Sequence, residues 1–215
     1  MVFRDRHAAG RALAAALAGH ADDDAVVLAL PRGGVPVAAE VARALGAPLD
    51  VIVVRKLGVP GHPEYAMGAI GEGGVRVLDG QVIRSMRVSD EALARVSEEE
   101  RAELERRGRR HRPRPPLALV GRTAVLVDDG MATGSTALAA SQVASELGAA
   151  RVVVAVPVAS GAAVRELRRH VDEVVCLDAP ADFRAVGQCY DDFSATSDEE
   201  VVAALDGVDP DGDPG

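Results

Sequence analysis

The stretch Ala124–Thr136 reads AVLVDDGMATGST. Four apolar residues run straight into two adjacent carboxylates, Asp128 and Asp129. The small residues Ala132-Thr133-Gly134-Ser135-Thr136 follow, and then Ala140, Val143, Ala144 and Leu147 fall on one helical face. An unbroken apolar run bounded this way is what a strand covered on both faces presents. The stretch therefore predicts a buried strand, a charged strand end and a tight loop opening a helix. Such a loop aims backbone N–H groups and hydroxyls at one point, where the helix dipole favours an anion. The two carboxylates would repel that anion and suit hydroxyls, or a metal, further along the same ligand. A phosphate with vicinal hydroxyls behind it is a ribose 5-phosphate. A Ser- or Thr-capped helix with no ligand shares part of this pattern. Two adjacent acids ahead of T-G-S-T are a rarer combination.

Around this centre the chain repeats the same alternation. Ala25–Leu30, Leu49–Val54, Val152–Val156 and Val174–Leu177 are short apolar runs. Between them lie helical patterns, one with Val35, Ala38, Ala42 and Leu45 on a face closed by Gly46, another with Val164, Leu167 and Val171. An N-terminal helix is expected over 7–19. Strands alternating with helices predict an α/β fold, a mostly parallel twisted sheet flanked by helices. Leu57–Gly68, LGVPGHPEYAMG, is too rich in Gly and Pro for regular structure and reads as a flexible loop. With a β-hairpin over Ala69–Leu78 it forms an arm spanning about 57–84. A charged helix is expected over 88–111. The final DGVDPDGDPG, residues 206–215, has the composition of a disordered tail, which leaves one domain over 1–205.

With 215 residues and 48% hydrophobic content the chain can bury a substantial core, but at 2% aromatics that core must be Val, Leu, Ile and Ala. Few aromatics also argue against base-stacking platforms for single-stranded nucleic acid. A net charge of −9 makes the whole molecule repel polyanions. Arg4, Asp5, Arg6 and His7 interrupt any signal-peptide pattern, and no apolar run reaches membrane-spanning length. Cys176 and Cys189 have no metal or redox spacing, so free thiols in a reducing cytoplasm are expected. Lys56 is the only lysine in a chain with 23 arginines, which suggests a specific use for a compact ammonium there.

Ligands of open α/β sheets sit beyond the carboxyl ends of the strands. Three strand ends carry Arg32-Gly33-Gly34, Arg55-Lys56 and Asp128-Asp129, and such a fold would bring them together around one ligand. The Asp128–Thr136 stretch resembles the 5-phosphoribosyl-1-pyrophosphate (PRPP) signature of type I phosphoribosyltransferases. LPRGGV resembles that family's pyrophosphate loop, which often carries a cis peptide, and Arg55-Lys56 the basic pair at the root of its mobile catalytic loop. The resemblance runs from Phe3 to Leu205. With RKLGVPGHPE and the C-terminal segment it points to a stand-alone bacterial subgroup whose acceptor is not established.

The resemblance implies Mg²⁺-dependent transfer of the phosphoribosyl group from PRPP to a nitrogen acceptor, a nucleobase being the expected one, with pyrophosphate released. It implies that Asp128 and Asp129 hold the ribose hydroxyls, that Ala132, Thr133, Gly134, Ser135 and Thr136 hold the 5-phosphate, and that Arg32, Gly33, Gly34, Arg55 and Lys56 hold the pyrophosphate. Mg²⁺ would ride mainly on the ligand's own oxygens and waters, with Asp128 and Asp129 reaching it through water. His62 and Glu64 in the loop are candidates for accepting a proton or contacting the pyrophosphate, and Tyr65 for contact with the acceptor. Phe183, Tyr190 and Phe193, three of the five aromatics, cluster in a C-terminal hood expected over 180–205. They could line the acceptor pocket or simply anchor a loop to the core. Ala132 stands where hypoxanthine–guanine enzymes of the family carry an aspartate, which argues against those substrates. The arginine-rich run Arg106–Arg114 leaves a different class open, a PRPP-sensing regulator that binds RNA or another protein. The acidic total and the lack of a reader motif disfavour nucleic acid, and homodimerisation stays open.

Overall fold

A computed structural model describes residues 1–19, 24–111 and 115–207, with backbone only at 64, 107 and 109–111. In chain order the elements are α1 (Arg6–Leu17), β1 (Ala25–Ala29), α2 (Gly34–Leu45), β2 (Leu49–Val51), β3 (Val54–Val59), β4 (His62–Gly71), β5 (Arg76–Leu78), α3 (Gly80–Ser85) and α4 (Asp90–His111). Then come β6 (Thr123–Val127), α5 (Ser135–Glu146), β7 (Arg151–Val158), α6 (Gly161–Leu167), β8 (Glu173–Asp178) and α7 (Asp198–Asp206).

Five strands pair in parallel in the order β2-β1-β6-β7-β8. Alternate residues of these strands feed two separate cores. Val27, Ala29, Val125, Val127, Val153 and Ala155 face a core that includes Leu13 of α1, Val37 and Val41 of α2, and Val201 and Leu205 of α7. Val26, Leu28, Ala124, Leu126, Val152 and Val154 face Ala140 and Val143 of α5 and Leu167 of α6. Both faces are covered, which is why each strand reads as an unbroken apolar run rather than an alternation.

The arm meets expectation in its second half, where β4 and β5 form the antiparallel hairpin expected over Ala69–Leu78, and departs from it in the first. The run predicted as one strand over 49–54 ends at Val51, and the backbone turns before β3 begins at Val54. The segment taken for a flexible loop is an antiparallel hairpin, with Lys56 opposite Ala69 and Val59 opposite His62, and β5 added on the outer side of β4. Leu57, Val59, Met67 and Ile70 are buried there and pack against Val82 and Ile83 of α3 and Leu93 and Val96 of α4. This small apolar core of its own outweighs the Gly and Pro signals, and Gly61, with φ +80°, supplies the turn. Of the tail expected over 206–215, Asp206 belongs to α7, and residues 208–215 lie outside the described set. Among the described residues no helix is long and apolar enough to cross a membrane.

Candidate functional site

Three adjacent parallel strands end at the same edge. Ala29 pairs with Val51 on one side and Val127 on the other, and Leu30 N–H donates to the Val127 carbonyl at 2.8 Å. Parallel register thus delivers Pro31-Arg32, Ile52-Val53 and Asp128-Asp129 side by side, and β3 carries Arg55 and Lys56 onward from Ile52-Val53. The peptide between Pro31 and Arg32 is cis, as the resemblance implies. Both glycines after it are dictated by close approach. A Cβ on Gly33 would fall 2.1 Å from Asp129 Oδ2, and one on Gly34 2.6 Å from the Val127 carbonyl oxygen. The Arg32-Gly33-Gly34 loop is therefore pressed against the acidic pair.

The loop after β6 turns at Gly134, whose φ of +74° suits glycine, and opens α5 with Thr133 Oγ1 accepting from the Ser135 N–H at 3.4 Å. Thr133 Oγ1 and Ser135 Oγ lie 2.9 Å apart, and Lys56 Nζ donates to Ser135 Oγ at 3.1 Å. The arm thereby brings the lone lysine onto the hydroxyls of the small-residue loop. Arg32, Arg55, Lys56 and Thr136 line one cavity of about 470 Å³. Arg55 is held by Glu100, with Nε 2.6 Å from Oε2.

The two aspartates differ in their partners. Burial first, and the adjacent charge of Asp129 second, push the Asp128 carboxyl well above the ordinary carboxylate range. Asp128 Oδ1 accepts from the Asp129 backbone N–H at 2.9 Å. Asp129 Oδ2 receives Arg6 Nε at 2.8 Å in a mostly buried pair. Arg6 also donates to the Ser194 carbonyl at 2.6 Å and lies 4.1 Å from the Phe193 ring centroid.

Two of the C-terminal aromatics therefore brace the acidic pair, Tyr190 directly and Phe193, itself exposed, through Arg6. Tyr190 is buried, donates its hydroxyl to the Asp129 carbonyl at 2.6 Å and packs against Phe3 and Phe193. Phe183 joins the same cluster. The Tyr190 hydroxyl is hard to ionise because it is buried beside the Asp129 charge. His62 and Tyr65 do not reach this site. They sit exposed at the outer end of the hairpin, and His62 pairs three residues beyond Lys56, about 10 Å along the strand. The Glu64 side chain lies outside the described set, as does most of the Arg106–Arg114 run.

Two contributors were not anticipated, Arg6 and Asp198, and Arg106 reads in the sequence only as the start of the arginine-rich run. Arg6 sits 123 positions from Asp129 in sequence and reads only as the start of a helix. Arg106 and Asp198 line the cationic cavity from α4 and α7, where they look like surface charges. Among the described residues no three His, Cys, Asp or Glu side chains converge as a metal cage. The Asp128 and Asp129 carboxyl groups are also in side-chain contact with each other, so the strand end presents a paired acidic edge rather than a cage. That suits Mg²⁺ carried on ligand oxygens and met by one or two carboxylates, the usual habit of this ion.

A family model for the phosphoribosyl transferase domain matches residues 4–194. The chain belongs to that family. Two Mycobacterium tuberculosis proteins, from strains CDC 1551 and H37Rv and each named "Putative phosphoribosyl transferase", are 55% identical to it over 206 residues. That match covers 95% of this chain but 46% of theirs, so the chain spans about half the length of these curated relatives. The crystal structure of TT1426 from Thermus thermophilus matches with a TM-score of 0.88 at 52% identity, covering 95% of this chain and 98% of that one. The α/β architecture drawn from the strand pattern is thus that of a phosphoribosyl transferase domain.

Proposed function

We propose that the chain transfers the 5-phosphoribosyl group from PRPP to a nitrogen acceptor, with a nucleobase the favoured class. The observation that carries this reading is the meeting of three strand ends, with Gly33 against Asp129 and Lys56 on Ser135. One ligand bearing a phosphate, two hydroxyls and a diphosphate matches that set of groups. Thr133, Gly134, Ser135 and Thr136 would take the 5-phosphate, with Lys56 beside them. Asp128 and Asp129 would take the ribose hydroxyls, and Arg32, Gly33, Gly34 and Arg55 the diphosphate. In the reaction the bond from ribose C1 to the diphosphate oxygen breaks, a C1–N bond forms and the acceptor nitrogen gives up its proton. Negative charge grows on the leaving diphosphate, so fixed cations there act more strongly on the transition state than on the bound donor. Mg²⁺ bound with the donor would neutralise part of that charge. Cys176 and Cys189, both free, suit a reducing cytoplasm.

Titration calorimetry with PRPP, with and without Mg²⁺, tests the first step. Mg²⁺-dependent binding is expected, and its absence sinks the reading. A scan of nucleobases and related amines for pyrophosphate release then tests turnover. Binding without any turnover would move the protein to the class of PRPP-sensing regulators.

A further inference from the structure

The cationic cavity has a wall that the three strand ends do not supply. Arg106 enters it from α4 and Asp198 from the first turn of α7, across from Arg32, Arg55 and Lys56. Four cations and one carboxylate therefore line the same space. Arg106 is fixed in a fork, its Nε and Nη2 each 2.7 Å from the Glu103 carboxylate. Its Nη1 is not part of that fork. Arg32 Nη1 lies 3.5 Å from Asp198 Oδ1. The charge of Asp198 also adds to the stronger hold of Glu103 on Arg106. Asp198 thus stands as an anion between cations from two different elements, where an anionic ligand would find them.

We propose that Arg106 is a further cationic contact to the diphosphate, and that Asp198 is an internal counter-ion which the diphosphate replaces. The proposal rests on the reading of this cavity as the diphosphate site of a PRPP donor. The chemistry favours the exchange. A diphosphate brings several negative charges and forked acceptor oxygens, against one carboxylate held on a helix, and guanidinium groups match phosphate in two-point contacts. Arg106 is pre-oriented by Glu103, so little side-chain freedom is lost when it engages. Asp198 would also ease release, since a carboxylate that can return to Arg32 competes with the departing pyrophosphate.

Calorimetry with three probes separates this from the donor reading: pyrophosphate with Mg²⁺, ribose 5-phosphate, and PRPP. Arg106→Gln keeps the stem and the helix propensity. It should weaken pyrophosphate and PRPP about tenfold or more, the usual loss for one hydrogen bond to a charged group, and leave ribose 5-phosphate unchanged. Arg106→Lys, which keeps charge but not the fork, should fall between. Asp198→Asn should tighten pyrophosphate several-fold, with circular dichroism and melting confirming the fold of each variant. Unchanged pyrophosphate affinity in Arg106→Gln, or weakened affinity in Asp198→Asn, overturns the proposal, as does wild-type protein that binds no pyrophosphate. If PRPP and ribose 5-phosphate bind while Arg106→Gln has no effect, Arg106 loses its role and the donor reading stands. If only pyrophosphate binds, with the variant effects as expected, the donor reading fails and the diphosphate site stands.

Discussion

Asp128 and Asp129 are covalent neighbours with opposite electrostatic situations. Asp129 has a guanidinium on one oxygen, whereas Asp128 is desolvated beside a like charge. The pKa of Asp128 is raised in the folded state above its ordinary 3.8, so its stabilising contribution is complete below that value and is lost as pH rises through the folded one. Asp128→Asn should therefore be more stable than the native protein at neutral pH, with the gap closing below the ordinary carboxylate range. Thermal melts across a pH series check this, and equal melting at neutral pH would contradict it. Lys56 makes a second case. Removing it should lower turnover by about 10²- to 10³-fold if its charge serves the leaving group. Its contact with Ser135 adds an expectation the sequence did not offer: Lys56→Ala should also weaken ribose 5-phosphate, which a pure diphosphate contact would not do. Both losses are read from one titration and one rate assay.

At the level of elements, the central sheet was legible because burial on both faces writes itself as apolar runs, and the Arg32 and Asp128 strand ends followed from parallel order, whereas Lys56 lies inside β3 of the antiparallel hairpin. The arm was legible only in part: the hairpin expected over Ala69–Leu78 is the β4–β5 pairing, whereas the β3–β4 hairpin was not foreseen. Gly58, Pro60, Gly61 and Pro63 are strong loop signals, and they mask the alternation of Leu57 and Val59 that the hairpin buries. Nor could pattern alone show that Tyr190 faces inward beneath Asp129, since a cluster of aromatics in a loop suits a pocket equally well. The packed arm gives its own prediction. A Cβ on Gly71 would fall 2.2 Å from Val143 Cγ1, so Gly71→Ala must push β4 away from α5. Lys56 pairs with Ala69 on that strand and should leave Ser135 with it. Ribose 5-phosphate affinity should then drop although no ligand contact was mutated. Alanine at His62 or Tyr65, exposed at the tip, should shift stability by no more than about 0.5 kcal/mol, measured by denaturant titration.

Across the whole molecule, the two ends of the described chain close over one strand end. Phe3 bridges to Tyr190, Tyr190 bonds the Asp129 carbonyl, and Arg6 reaches both Asp129 and the Ser194 carbonyl. The acidic pair is thus held by segments near both ends of the described chain, which local periodicity cannot reveal. The ion pair is mostly buried, with side chains 11% and 13% exposed, so removing one partner strands a desolvated charge on the other. Arg6→Ala should cost about 3 kcal/mol, in the range for breaking a buried pair from one side. Asp129→Asn alone should cost less, because Arg6 keeps the Ser194 carbonyl and the Phe193 ring. The double variant should be less destabilised than the sum of the two, since the stranded carboxylate is gone. Arg6→Lys should restore only part of the loss, as an ammonium cannot serve carboxylate, carbonyl and ring at once. Chemical denaturation of the four proteins gives the coupling energy directly. Strict additivity would mean that Arg6 and Asp129 do not act on each other and that the acidic pair needs no support from α1.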